Sequence, residues 1–130
     1  MRQKAPDKKK ALSIIEAAKR DMKFTLTLEA TEAAGPTIVR NIYECFRMLG
    51  DALLVARGIE ANDHVMPINE LLKLSVETTR PIMVIESLRQ MRHNINYYGY
   101  SPKQAEVADA ISIADSCFEP IFDAVEEKIK

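Results

Sequence analysis

Apolar residues recur along most of this chain at steps of three and four, the spacing of one face of an α-helix. The first such stripe, between Ala11 and Met22, predicts a helix that begins near Asp7 and ends in the high twenties. Residues 24–28 alternate like a strand. Because a short strand with no partner forms no sheet, we assign them to the end of this helix.

A second helix begins at Gly35-Pro36, because proline at the first helical position loses no intrahelical hydrogen bond. Gly58 is placed to cap its end. The apolar stripe between these points is broad, so we expect this helix to be buried over more than one face. A polar stripe runs beside it and is interpreted as a solvated face with exposed ion pairs. That stripe consists of Arg40, Glu44, Arg47 and Asp51.

The second half of the chain carries two more long helices. The segment from Pro81 to about Tyr98 has apolar residues at alternating steps of four and three, and Gly99 ends it. This spacing is typical of the seam, the line along which a helix contacts its neighbours in a bundle. An S-x-x-Q capping box with Ser101 as N-cap then opens a last helix, which runs to the C-terminus and contains Pro120 as a candidate kink. The seam residues of the first of these helices are Val84, Leu88, Met91, Ile95 and Tyr98.

A short helix with Ile68, Leu71 and Leu72 follows a turn at Asn62-Asp63 and joins the two halves. Long amphipathic helices with short joints are typical of a bundle. We therefore predict an all-α fold. Its arrangement is expected to be an antiparallel four-helix up-and-down bundle with an additional short helix, formed by a single domain over residues 1–130.

Composition and charge refine this prediction. Four glycines and no tryptophan disfavour an all-β fold. The longest run without a charged residue has ten residues, whereas a membrane span needs about 20 apolar ones, so we expect no membrane segment. Cys45 and Cys117 are isolated and lie on apolar stripes, which predicts reduced core cysteines and a cytoplasmic protein. The net charge is −1, yet residues 80–103 form a cationic segment of net charge +3.

That cationic segment holds the main candidate chemistry. Four polar residues share one face of its predicted helix beside the apolar seam, and three tyrosines follow at the helix end. Polar groups at the edge of a seam mark a ligand or partner surface, whereas the alternative interpretation is an ordinary solvated face. The polar residues are Arg89, Arg92, His93 and Asn96, and the tyrosines are Tyr97, Tyr98 and Tyr100.

Other candidate chemistry is sparse. His64 follows Asp63, but it and His93 are the only histidines, and no ligand cluster accompanies them at metal-binding spacing. We therefore expect no metal site. The chain has no glycine-rich phosphate loop or other cofactor motif, so no cofactor is expected either.

Two stretches carry a resemblance to a known family. Residues 41–47, Asn-Ile-Tyr-Glu-Cys-Phe-Arg, with 51–54 and 58–59, resemble the second helix of HEPN domains, helical bundles of prokaryotic toxin–antitoxin and antiviral systems. Residues 92–100, Arg-His-Asn-Ile-Asn-Tyr-Tyr-Gly-Tyr, are similar to the family signature: an Arg, a polar residue, about three further residues and a His, often followed by a Tyr. The similar stretches lie within residues 38–111.

The resemblance implies that signature Arg and His residues meet across a homodimer cleft and cleave RNA without a metal. Arg92 matches the Arg, His93 occupies the polar position, and Tyr97 or Tyr98 stands where the His is expected. The catalytic positions implied are therefore Arg92, His93 and Tyr97. A phenol, with an ordinary pKa of about 10, is a poor base at pH 7. We expect ribonuclease activity to be weak or lost, which leaves open whether the protein is an enzyme.

Two functions remain open. The first is a homodimer that binds RNA or a nucleotide at the Arg92 cleft. The second, implied by the resemblance, is a non-enzymatic partner of a minimal nucleotidyltransferase in a toxin–antitoxin system. Such a partner modifies a tyrosine after the signature His, and Tyr100 matches it if Tyr98 takes the His position. The residues assigned to RNA or nucleotide binding are Arg89, Arg92, His93, Asn96, Tyr98 and Tyr100.

Overall fold

The computed structural model describes residues 2–63 and 65–130, and over these ranges the fold is all-α, as predicted. The extended backbone there is limited to two paired antiparallel strands of two residues each. None of the described helices is long and apolar enough to cross a membrane. The elements are β1 (Arg2–Gln3), α1 (Lys8–Thr25), α2 (Gly35–Ala56), β2 (Ile59–Glu60), α3 (Val65–Leu72), a 3-10 turn (Ile82–Val84), α4 (Ile85–Tyr98) and α5 (Gln104–Ile129).

Helix α1 begins where the sequence predicts and ends earlier. Asp7 is its N-cap, and the Asp7 carboxylate accepts a hydrogen bond of 2.8 Å from the Lys10 amide. The predicted end in the high twenties is wrong, because residues 26–28 form a turn. The Thr27 hydroxyl donates to the Phe24 carbonyl at 2.6 Å, which offers the backbone an alternative to further helix.

Helix α2 lies at the centre of the fold and contacts each of the other four α-helices. The amide of Asp7 donates to the carbonyl of Val55, so α1 enters beside the end of α2 and runs antiparallel to it. Helix α5 runs parallel to α2, since Gly35 lies against Val107 and the rings of Phe46 and Phe118 meet at 5.5 Å. The predicted burial over more than one face is confirmed.

One hydrophobic core receives side chains from all five helices. In the centre of α2, Phe46 and Leu49 are fully buried, and Ile15 of α1, Leu88 of α4 and Ile121 of α5 are equally inaccessible. Burying a side chain of this size contributes roughly 1.5–3 kcal/mol. The core therefore fixes the rotation of α2 and α4 about their axes, and with it the side chains that these two helices present to solvent.

The ends of α2 and α4 follow the glycine signals in the sequence. Gly58 follows α2 with φ of 75°, and Gly99 caps α4 with φ of 61°, a left-handed conformation that residues with a Cβ adopt at a cost. The amides of Gly99 and Tyr100 both donate to the Asn94 carbonyl. The seam assignment of Tyr98 is wrong, because that ring is 75% exposed beyond the end of the core.

The start of α5 differs from the predicted capping box. The N-cap is Lys103 and not Ser101, because Glu106 supplies the reciprocal contact: its carboxylate accepts a hydrogen bond of 2.8 Å from the Lys103 amide. Pro102 is buried and packs near Gly35. The helix then continues through Pro120 to Ile129.

Helix α3 packs on α2 at a glycine that the sequence analysis did not single out. A Cβ at Gly50 would lie 2.0 Å from the carbonyl oxygen of Pro67, so the close approach of the two backbones requires glycine here. Glu70 on the same helix is buried and bonds Arg57 at 2.8 Å and Lys73 at 2.7 Å. Contact at Gly50 and this ion-pair cluster together hold α3 in place.

We expect Gly50→Ala to destabilise the protein by about 1–2 kcal/mol. Alanine favours a helix by about 1 kcal/mol over glycine, but overpacking against a backbone atom costs typically 1–3 kcal/mol, and here the overlap with Pro67 is severe. Urea unfolding measures the change as a lower midpoint. Thr37→Ala, at an exposed position of the same helix, is the control and should shift stability by less than about 0.5 kcal/mol. Equal or higher stability of Gly50→Ala would contradict the close approach.

Candidate functional site

The candidate site is the surface that α2 and α4 form together, called the α2–α4 face below. From α4 it contains Arg89, Arg92, His93 and Asn96, and from α2 it contains Arg40, Tyr43 and Arg47. The two helices run antiparallel, so Arg40 meets Asn96 while Tyr43 lies beneath Arg92. The face predicted on α4 alone is therefore half of a surface that two helices build.

Arg92 is held over an aromatic ring. Its guanidinium carbon lies 5.7 Å from the centroid of the Tyr43 ring, and Tyr43 is only 1% exposed. This is a cation–π contact on a rigid support. Burial raises the pKa of Tyr43, against the opposing effect of the nearby arginines, so its phenol is neutral at pH 7. Within the described residues, no carboxylate forms an ion pair with Arg92.

Two other arginines of this face are already neutralised by carboxylates. Arg89 donates to Glu86 at 2.7 Å, and that hydrogen bond raises its pKa above the usual value. Arg47 bonds both Glu44 and Asp51, so the predicted ion pairs of the α2 polar stripe form around it, although its side chain is half-buried. These two guanidinium groups therefore have little capacity left for an external anion.

Arg40 differs from the rest of its stripe. It is exposed, and its Nη1 donates to Oδ1 of Asn96 at 3.3 Å, a neutral partner on the facing helix. Arg40 and Arg92 are thus the two cations of the α2–α4 face whose contacts in the described structure include no carboxylate. Sequence analysis assigned Arg40 to a solvated face and Tyr43 to no role. The sequence feature that could have identified them is the i, i+3 spacing of Arg40 and Tyr43, which places Tyr43 on the flank of the polar stripe.

An aromatic cluster lies at the end of α4, the helix that also carries Arg92. The His93 ring lies 4.7 Å from the Tyr97 ring and 5.7 Å from the Tyr98 ring, measured between centroids. Tyr97 is 67% exposed, although aromatic side chains of this size are mostly buried in folded proteins. The cluster offers flat ring surfaces to solvent on the helix that also carries the guanidinium group of Arg92. Such a combination binds anions that carry planar groups.

Tyr100 stands apart from this cluster. Its hydroxyl donates to the carboxylate of Glu106, which also accepts the Lys103 amide. The carboxylate raises the pKa of Tyr100, and the two donors lower the pKa of Glu106. Of the residues assigned to binding, the structure brings the His93 and Tyr98 rings together, places Arg92 over Tyr43 of α2 and orients Tyr100 towards Glu106 of α5.

The remaining candidates of the sequence analysis have no place on this surface. Cys45 and Cys117 are buried free thiols, and burial raises the pKa of Cys45 to about 12, so it is protonated at pH 7. His64 lies outside the described residues. A cavity of about 690 Å³ between the N-terminal segment and the end of α2 was not foreseen, and two pairs of its charged lining groups form ion pairs, Lys4 with Glu60 and Arg47 with Asp51.

Comparison with protein-family models, with curated proteins and with solved structures finds no match for this chain. The geometry and chemistry of the α2–α4 face are therefore the basis for a function.

We expect Glu106→Gln to lower the melting temperature by a few degrees at most near pH 7, because the contact is exposed to solvent. A carboxylate whose pKa is lowered on folding stabilises above its ordinary pKa of about 4.3, and that stabilisation disappears as pH falls through the folded value. The difference between wild type and variant should therefore persist at pH 6 and vanish towards pH 3. Thermal unfolding followed by circular dichroism measures it, and a difference independent of pH would contradict the contact.

Proposed function

We propose that this protein is a cytoplasmic, homodimeric HEPN-like bundle of four up-and-down helices that binds single-stranded RNA on the α2–α4 face, with ribonuclease activity weak or lost. One observation carries the proposal. The Arg92 guanidinium is held on the Tyr43 ring without a carboxylate partner, and the same helix carries the ring cluster of His93, Tyr97 and Tyr98, whose two tyrosines are exposed. Chemically, this face is suited to a phosphate and to the base next to it.

Phosphate binding is the first step of the proposal. A guanidinium group without a carboxylate partner gains a charge-assisted, bidentate contact from a phosphate, whereas Arg47 and Arg89 would have to give up existing partners. Arg40 needs to release only a neutral amide oxygen. We therefore assign successive phosphates of the strand to Arg92 and Arg40. A free nucleotide is a smaller ligand of the same chemistry.

Base binding is the second step. Exposed aromatic rings stack on unpaired bases with little sequence preference, and duplex RNA hides those base surfaces. Tyr97 and Tyr98 both contact the His93 ring and are both exposed, so their surfaces are available to a splayed strand. This favours single-stranded over duplex RNA.

Weak or absent catalysis follows from the residue types at the signature positions. Tyr97 places a phenol where the resemblance leads us to expect an imidazole, the side chain best suited to general acid–base catalysis near neutral pH. His93 is adjacent to Arg92 in sequence, and neighbouring helical residues point about 100° apart. The His93 ring packs against Tyr97 and Tyr98, so it is committed to the aromatic cluster.

The second function of the sequence analysis, a non-enzymatic partner of a minimal nucleotidyltransferase in a toxin–antitoxin system, is favoured by one contact. The hydroxyl of Tyr100 is bonded to Glu106, whose carboxylate is placed to take the phenolic proton if a partner modified that oxygen. This remains the alternative proposal, and it applies if the protein binds no RNA.

We expect the wild type to bind a fluorescein-labelled oligouridylate of about 12 nucleotides, with affinity that falls between about 50 and 200 mM salt. Arg92→Ala should weaken binding about tenfold, because one phosphate contact is lost. It should also reduce by about one the salt slope, which is the slope of the logarithm of the affinity against the logarithm of the salt concentration. Fluorescence anisotropy measures both quantities. Lys128→Ala removes an exposed cation from the far end of α5 and is the matched control, with affinity close to wild type.

Two outcomes would contradict this proposal. If no RNA binds, the nucleotidyltransferase alternative becomes the better one. If the wild type cleaves the same RNA rapidly in excess chelator, and Arg92→Ala does not, the assignment of a weak or lost activity is wrong. Tyr97→His restores an imidazole at the family spacing and is the variant in which we expect metal-independent cleavage to emerge.

We expect light scattering to give a mass of about 29 kDa, twice the 14.7 kDa of one chain, because in the proposed dimer the α2–α4 faces of two copies line one cleft. Two cationic faces approach each other at acceptable cost only if the cleft holds water or an anion. Dimerisation should therefore be promoted by the oligouridylate. A mass of one chain, 14.7 kDa without RNA and 14.7 kDa plus one bound oligouridylate with it, would contradict the dimer.

A further inference from the structure

The polar stripe of α2 has two flanks, and only one of them faces α4. At about 100° per residue, Tyr43 lies on the α4 side of the stripe, whereas Asn41 and Cys45 lie on the side that faces α1. Arg40 and Glu44 form the ridge between the flanks. An RNA strand that contacts Arg40 therefore has access to a second surface, on the other flank of α2 from Arg92.

That second surface contains a groove of about 400 Å³ between the end of α1 and the first half of α2, a size typical of small-ligand pockets. Phe24 forms one wall and is 63% exposed. Asn41 is half-buried, and no described residue forms a hydrogen bond with its side chain. Thr25 and Cys45 are buried lining residues, and the Thr25 hydroxyl is satisfied by the Asp21 carbonyl at 2.8 Å.

The charged groups at the rim of this groove are paired. Arg20 bonds Asp21 at 3.2 Å, and Glu44 bonds Arg47, so neither cation nor carboxylate is left to attract a strongly charged ligand. The interior offers an aromatic ring and an amide that both donates and accepts hydrogen bonds. A flat, neutral group with polar edges matches that chemistry, and a nucleobase is such a group.

We propose that the α1–α2 groove is a base-binding subsite in which Phe24 stacks on a nucleobase and Asn41 bonds its edge. The inference rests on the proposed function, because the base belongs to the same single-stranded RNA whose phosphates lie on Arg92 and Arg40. Arg40 on the ridge holds the phosphate between the two surfaces. RNA then crosses α2 and does not follow its axis.

The test compares Phe24→Ala, Phe24→Tyr and Met83→Ala in anisotropy titrations with the labelled oligouridylate and with an abasic ribose-phosphate strand of the same length. Met83 is also exposed and apolar and lies outside both surfaces, so it controls for the loss of an exposed hydrophobic side chain. Loss of one stacked base weakens binding by at least about fivefold. We expect Phe24→Ala to lose that affinity for oligouridylate and to bind the abasic strand as the wild type does. Phe24→Tyr should bind oligouridylate with an affinity close to that of the wild type.

The salt slope separates this subsite from the phosphate contacts. Phe24→Ala should leave the slope unchanged, whereas Arg92→Ala lowers it by about one. If Arg92→Ala weakens binding and Phe24→Ala does not, the subsite is overturned while the proposed function stands. If the wild type binds neither strand, both are overturned. An equal loss of affinity for Phe24→Ala and Met83→Ala would also overturn the subsite, since it would show a general effect of exposed apolar side chains.

Discussion

Burial of α2 against four other helices leaves one narrow sector of that helix in contact with solvent, and the candidate chemistry of this protein lies along that sector. Only Thr37 and Arg40 are exposed within α2, and a line of half-buried polar residues continues from them along the helix. Because the core fixes the rotation of α2, the same packing that buries Phe46 and Leu49 presents Arg40 outward and holds Tyr43 beneath Arg92. The site is thus a consequence of core packing.

Ion pairing then determines which of the cations that this packing brings together stay free of carboxylate partners. Four arginines lie on or beside the α2–α4 face, and in two of them, Arg47 and Arg89, carboxylates one turn away satisfy the charge. Those pairs lower the cost of packing several guanidinium groups side by side. Arg40 and Arg92 retain the capacity to bind an external anion, because their described contacts are an amide oxygen and an aromatic ring.

The flanks of α2 explain how one helix can serve two surfaces. Tyr43 supports the cation on the α4 side, and Asn41 faces the groove on the α1 side, only two residues earlier in the chain. Helical geometry separates these side chains by about 200°, so a ligand that reaches both must cross the ridge at Arg40. The proposed phosphate contacts and base contact therefore follow one another across α2, from the α2–α4 face to the α1–α2 groove.

The local pattern of the sequence determined most of the helices, because each apolar stripe and each capping signal acts within a few residues. Asp7, Pro36, Gly58 and Gly99 mark helix ends in the positions expected. Prediction failed near Ser101, because the carboxylate of Glu106 accepts the Lys103 amide and so places the N-cap two residues later, at Lys103. Likewise, hydroxyl contacts of Thr27 end α1 sooner than its stripe suggests.

The α4 half of the candidate site was also visible in the sequence, since Arg89, Arg92, His93 and Asn96 share one helical face. Its α2 half was decided by the tertiary structure alone. Arg40 and Asn96 are 56 residues apart, and no periodicity within either helix specifies that they meet. Which arginines are neutralised, which ring lies under Arg92 and which flank forms a groove depend on the angle and register at which helices pack. Those quantities are set by the combined shape of the core.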